Sequence, residues 1–540
     1  MKKFFALFLA LVMVLSVTAA LSEEERVLNI CTPNSDGLRS IYSLFEETTG
    51  IKINSESLGT GDCMARIKAE KEQEYCSFDL MYGGSLANYV ANKDLFQDYY
   101  SPEDEFLMEA YRNTLGFCTN YTVDGSVPGL DSPLYTGPLT LTQTTVVRAI
   151  AVENDAAPSR PASFSYIVNE GHTLPVLSLT VDNRANFNHM FYSGSKVRRT
   201  GANLSLFDEN GLVFSQACEL RMAGWTSLEL EKKSMAVDFK GRYGGDLRCD
   251  VFDNGIDRYH SLAIRAGQDY LFSIFRNELF QELALEASTA VLTQANRWCV
   301  LYVDGEYYGI YCLKEDLTKQ YYASHAGVSK ESVLNYKTPV LPGTPFYDEI
   351  LAYAMQYDLS QEEHYAYMCE HLDIDSLIDW FLIESYSCNS DVQGNLRVFS
   401  SPENGGKWSF ALYDLDWAFY YKGCAFYMLL NGDSNMPAVL HKLIRNPDFR
   451  DRCLRRYAEL TQGVLSNEHV LQKIDEFVAL LEPEAPRDRL RWHKTTKDWY
   501  DHVQLLRDFI VDNDWAKLSI ERFCAEAFIG PEERAEYFGY

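Results

Sequence analysis

Residues 376–417 read SLIDWFLIESYSCNSDVQGNLRVFSSPENGGKWSFALYDLDW. SLIDWFLIESY carries apolar residues three and four apart, which predicts a helix, and KWSFALYD is apolar enough for a buried strand. Each of these elements ends in acid: Asp391 lies in NSDVQGN after the helix, and Asp414 and Asp416 close the strand. Carboxylates that terminate buried elements are costly unless paired or metal-bound. The segment therefore predicts a site where Asp391 meets the Asp414/Asp416 pair. The plainer alternative has Asp391 capping a turn and Asp414 paired with Arg397.

Downstream, HVLQKIDEFVALLEPE and HVQLLRDFIVDNDW repeat the helical period, and upstream the pattern changes to strands. LPVLSLTVD, NGLVFSQACELRMAGW and KKSMAVDFKGRYGG are strand-rich, and YVDGEYYGIYCLKED predicts a hairpin turning at Asp304-Gly305. A mainly β part followed by a mainly α part is an α+β layout. Phosphoryl transfer requires a cation for nucleotide phosphates, carboxylates for magnesium and a carboxylate to orient the attacking hydroxyl. Lys232 and Lys233, opening KKSMAVDF, are the candidate cations, set against a solvated pair at a strand edge. Glu315, ending the hairpin, is a further candidate, set against an ordinary surface charge.

The chain has 540 residues, more than one core holds, so several domains are predicted. From Val27 to about Arg112 short apolar strands alternate with helices, a parallel α/β beginning. Ser57 and Gly59 to Gly61 there read as a strand-to-helix turn or as an anion-binding loop. From Cys118 to Val168 short segments rich in Thr, Ser, Pro and Gly, with Asp124-Gly125 and TVVRAIAV, predict a small β-sandwich. The first residues have the layout of a secretory signal: Lys2 and Lys3, an apolar run from Phe4 to Val17, then Thr18, Ala19 and Ala20. That run is shorter than the roughly 20 residues of a spanning helix, so a secreted or surface protein is expected, touching membrane only through its signal. Acidic residues outnumber basic ones 77 to 49, for a net charge of −28. Such a surface repels nucleic acid and anionic lipid and suits divalent cations or a basic polypeptide. The 13 cysteines lack paired CxxC spacing, so no structural zinc site is predicted.

Several stretches carry resemblances. LRSIYSLFEETTGIKIN, GTGDCMARIKAEK and DLMYGGSLANY resemble part of the first lobe of periplasmic solute-binding proteins, without the second lobe needed for a ligand cleft. YTVDGSVPGLDSPLYTGPLTLTQTTVVRAIAV with PSRPASFSYIV resembles the C-terminal β domain of chitobiases, which implies a spacer or a carbohydrate-contacting module. HSLAIRAGQDYLFSIFRNEL, RWCVLYVDGEYYGIYCLKEDL, NSDVQGNLRVF, KWSFALYDLDWAF and RWHKTTKDWYDHVQLLRDFI, in that order over roughly residues 174–530, resemble the CotH kinase family. The fold implied is multidomain α+β: a leader (1–20), a partial α/β lobe (27–112), a small β-sandwich (118–168) and an atypical protein-kinase-like domain (174–530). The CotH resemblance implies an ATP- and magnesium-dependent kinase acting on Ser or Thr of a protein, such as a coat or surface protein. It makes Asp391 the catalytic-loop aspartate, Asn395 a magnesium ligand and Asp414/Asp416 the metal-binding pair. Lys233 becomes the phosphate lysine and Glu315 a partner for it or for metal. Asn395 stands four residues after Asp391 where ordinary kinases have five, and no GxGxxG loop precedes Lys233. The alternative is a noncatalytic surface or coat-assembly scaffold of the same fold.

Overall fold

The computed structural model describes residues 27–32, 39–73, 76–81, 95–96, 118–152, 159–423 and 426–540; the leader and most of 82–117 lie outside them. Two compact units are distinguished, residues 1–120 with 150–160, and residues 121–149 with 161–540. In the first, the strand Val27–Thr32 lies between Lys52–Ser57 and Leu80–Met81, parallel to both, with the helices Arg39–Thr49 and Thr60–Lys71 on the connections. This is the parallel α/β beginning that the alternating pattern predicts.

Within the β-sandwich segment, Thr145–Ala149 pair antiparallel with Ala162–Tyr166 in a three-stranded sheet. Its Val146 is buried and Ser165 Oγ lies 2.7 Å from Ser178 Oγ, while Phe164 and Tyr166 are exposed. Arg148 leaves this sheet and is buried against the strand that follows, donating to the Val181 oxygen at 2.8 Å and to Asp182 at 2.6 Å.

The chemistry-bearing part opens with seven strands: β1 (Val176–Val181), β2 (Thr200–Asp208), β3 (Gly211–Met222), β4 (Met235–Asp238), β5 (Ser261–Arg265), β6 (Asn296–Val303) and β7 (Glu306–Glu315). They close into a barrel in the order β4-β5-β7-β6-β1-β2-β3, with β1 and β6 parallel. β6 and β7 form the predicted hairpin, turning at Asp304 and Gly305, both at positive φ. Side chains alternate along a strand. Leu177, Leu179, Cys299, Leu301, Tyr311 and Leu313 accordingly fill the barrel, while Val176, Val300, Ile310 and Cys312 join the core shared with the helices. The Ile374–Tyr386 helix is buried at every residue except Asp375, as a helix with apolar residues around most of its circumference is expected to be. The helices Asn467–Leu481 and Thr496–Val511 cover the two downstream helical patterns. The segment KWSFALYD is shorter as a strand than predicted: only Ser409–Phe410 form regular sheet, and Ala411 adds a bridge to Leu292.

Lys232 is a correction to the solvated-pair reading, because it is fully buried. Its Nζ donates to Asp488 Oδ1 at 2.7 Å and to the Ile310 oxygen at 2.6 Å, tying the barrel to the Ala485–Arg491 helix. Asp488 also accepts from the Ile310 amide at 2.8 Å and from Arg489 at 2.7 Å. Gly309 makes room: a Cβ there would stand 2.3 Å from Asp488 Oδ1. Burial pulls the Lys232 amine down to about 8 against the attraction of Asp488. Removing one partner strands the other in a dry interior. Lys232→Met is therefore expected to cost about 3 kcal/mol in urea unfolding, and combining it with Asp488→Asn should recover part of that loss.

Candidate functional site

The site lies where the outer face of β5 and β7 meets the Arg276–Glu286 helix and two loops. The first loop follows the Ile374–Tyr386 helix. That helix ends in a Schellman closure, with the Asn389 amide on the Glu384 oxygen (3.2 Å) and the Cys388 amide on the Ser385 oxygen (3.1 Å). Cys388 takes the left-handed position, φ 52°, that glycine usually fills. The second loop carries Asp414, itself left-handed at φ 61°, a conformation aspartate tolerates better than most residues.

Short polar contacts hold the two loops together. Asn389 Nδ2 donates to Glu384 Oε2 at 2.8 Å and to the Asp414 backbone oxygen at 3.3 Å. The Phe419 amide donates to the Ser387 oxygen at 2.7 Å, and the Leu415 amide to Asn277 Oδ1 at 3.1 Å. Asp391 is thereby brought near Asp414. Its carboxyl is pushed up by burial and by the Asp414 charge, and Asn395 Nδ2 donates to its Oδ2 at 2.9 Å.

Asp414 and Asp416 converge on Arg265 of β5, whose Nη2 lies 2.8 Å from Asp414 Oδ1 and 2.6 Å from Asp416 Oδ1. Asp416 is buried and also accepts from the Gln268 amide, whereas the Asp414 side chain is 33% exposed. Burial raises the Asp416 carboxyl, against the pull of Arg265. Arg265 Nε lies 3.9 Å from Glu278, and Glu278 accepts from Lys314 Nζ at 2.9 Å. Glu278 is fully buried, yet Lys314 and Arg265 outweigh that burial and hold its carboxyl below the ordinary range. One connected network thus runs from Lys314 through Glu278 and Arg265 to the Asp pair and on to the Asp391 loop. Beside that loop a cleft opens, lined by Val340, Trp380, Val392, Leu396, Leu429 and Met436 among others.

The expected site residues divide accordingly. Asp391, Asn395, Asp414 and Asp416 come to this place; Lys233 and Glu315 do not. Lys233 Nζ donates to the Leu230 oxygen and stands 5.5 Å over the Phe191 ring. Glu315 follows Lys314 and so turns to the strand's other face. There it is buried, with His325 Nε2 at 2.8 Å and the Ala295 amide at 3.0 Å. The Arg397 alternative is also corrected: its guanidinium stacks 4.0 Å over Tyr413, and Asp414 pairs with Arg265 instead. Asp391 does precede a short 3-10 turn, Val392–Gly394, but makes no side-chain cap to it.

Sequence reasoning missed Lys314, Glu278, Arg265, Asn277 and Glu384. A signal was present: RNELFQELALE places charged residues at positions a buried helix would fill with apolar ones. Among the described residues no three His, Cys, Asp or Glu side chains are grouped to hold a metal ion. The Asp414 and Asp416 oxygens are nonetheless hard donors converging on one cationic nitrogen. Magnesium takes one or two carboxylates and completes its shell with water and phosphate oxygens, so the pair fits that ion.

The geometry defines an α+β protein in which a strand-borne lysine and a helix-borne glutamate adjoin a cluster of loop carboxylates. The family model described as CotH kinase protein matches residues 220–516, more than half of the chain, and the chain belongs to that family. The model of the chitobiase/beta-hexosaminidase C-terminal domain matches residues 113–163, upstream of it. No curated protein matches the chain.

Glu384, fully buried and facing the charges of Asp414 and Asp391, has its carboxyl raised by burial from 4.5 to about 8. Between those two values the folded protein keeps a proton that the unfolded chain releases, so stability from this group falls as pH rises through that window. The wild-type melting temperature should therefore drop more than that of Glu384→Gln between pH 4.5 and about 8. Parallel curves for the two proteins would refute the assignment.

Proposed function

We propose that this chain is an exported protein kinase of the CotH type, transferring the γ-phosphate of ATP to a Ser or Thr hydroxyl of a protein substrate at the cell surface or coat. The observation that carries this reading is the network joining the Lys314–Glu278 ion pair to Asp414 and Asp416, with Asp391 on the loop clamped beside them. Asp391 orients the acceptor hydroxyl and takes its proton; desolvation and the Asp414 charge raise its carboxyl, which makes it a stronger base than a free aspartate. Asn395 fixes the Asp391 rotamer through Oδ2. Lys314, in place of Lys233, supplies the positive charge for the nucleotide phosphates, with Glu278 setting its position. Magnesium, which Asp414 and Asp416 would hold, supplies charge neutralisation on those phosphates. The acceptor oxygen forms its bond to the γ-phosphorus as the bond to the bridging oxygen breaks, and ADP leaves. The apolar cleft beside Val392 offers the acceptor polypeptide a place to lie.

A second reading, a noncatalytic scaffold for surface or coat assembly, is favoured by one observation: Arg265 occupies the space between the two aspartates. The purified chain is expected to transfer label from ATP with magnesium to a Ser- and Lys-rich peptide. Asp391→Ala should lose about 10²- to 10⁴-fold of the rate, with a comparable loss in Lys314→Met and most of the rate kept in Lys233→Ala. Absence of transfer, together with no thermal shift on adding ATP and magnesium, would select the scaffold.

A further inference from the structure

Arg265 stands in an unusual position for a structural arginine. Its side chain is 18% exposed, and one nitrogen bridges oxygens from two carboxylates at 2.8 and 2.6 Å. Those are oxygens that a divalent cation between Asp414 and Asp416 would need. Two positive centres cannot share the gap at such separations, because their repulsion is poorly screened in a site this dry. The guanidinium has another partner within reach: its Nε lies 3.9 Å from Glu278 Oε1, close to an ion pair and short of a hydrogen bond. Glu278 uses that same oxygen to hold Lys314.

We propose that Arg265 is the resident counter-cation of the Asp414/Asp416 pair, and that a divalent cation enters only by displacing its guanidinium toward Glu278. The Asp pair is then never left uncompensated, and metal binding without nucleotide is weak because it must break two charge-assisted hydrogen bonds. Glu278, receiving Arg265, shares its charge between two cations, which loosens its hold on Lys314 as the metal arrives. This inference rests on reading the Asp pair as a metal site, and its test is independent of phosphotransfer.

The experiment is calorimetric titration of the full chain with Mn²⁺ alone, with the tryptophan fluorescence change that is lost in Trp417→Phe, Trp417 being the neighbour of Asp416, as a second readout. Arg265→Gln is expected to bind Mn²⁺ roughly tenfold more tightly than wild type, because the competing ion pairs are gone. Glu278→Gln, which removes the receiving carboxylate, should bind it several-fold more weakly, and Asp414→Asn should abolish binding in the Arg265→Gln background. Equal or weaker affinity in Arg265→Gln overturns the proposal, as does absence of binding in every variant. Should Arg265→Gln fail to fold, Glu278→Gln decides: unchanged Mn²⁺ affinity there also overturns it. Tighter binding by Arg265→Gln without any phosphotransfer would uphold the displacement and count against the kinase reading. Phosphotransfer with unchanged affinity would do the reverse.

Discussion

Arg265, Glu278, Lys314 and Asp416 are largely buried together, with Asp414 at the part-exposed edge, and none of the buried charges would be stable there alone. The mutual dependence explains why the pieces of the site come from so many places. β5 supplies the arginine, β7 the lysine, the Arg276–Glu286 helix the glutamate and the loop after Ser409–Phe410 the aspartates. Misplacing any one element leaves a buried charge uncompensated, so the pocket specifies how barrel and helices fit together as well as what they do. The Asn389 amide extends the same logic to the Asp391 loop by bonding both Glu384 and the Asp414 backbone.

Much of the layout was legible in the sequence because it rests on local periodicity. SLIDWFLIESY is a helix, YVDGEYYGIYCLKED is a hairpin with its turn at Asp304-Gly305, and the β part precedes the α part. The acidic loop ends were legible too, since carboxylates after apolar runs demand an explanation. What escaped was information that lies across the chain. Lys314 and Glu315 are neighbours in sequence, and only the register of β7 in the closed barrel decides which of them faces the helices. Lys233 resembled a phosphate lysine by position, but the strand begins at Met235 and its amine is satisfied locally by Leu230. Arg265 was invisible as a participant because its partners lie some hundred and fifty positions away.

The extent of the family match and the extent of the fold differ instructively. The match begins at residue 220, inside β3, yet the barrel is closed by β1 and β2, which precede it. β1 supplies the parallel pairing to β6, and Leu177 and Leu179 fill the interior beside Leu301. The barrel supporting Arg265 and Lys314 therefore depends on strands lying outside the matched region.

The Lys232–Asp488 contact has a consequence for how the chain is made. The two residues are 256 positions apart. All seven barrel strands leave the ribosome long before the Ala485–Arg491 helix that carries the acid. Without that acid, the charged lysine has no buried counter-ion. Sealing the barrel and docking the Ala485–Arg491 helix are thereby coupled: the strands can form their ladder from the barrel's own residues, but the buried charge of Lys232 is matched only by an acid carried far downstream.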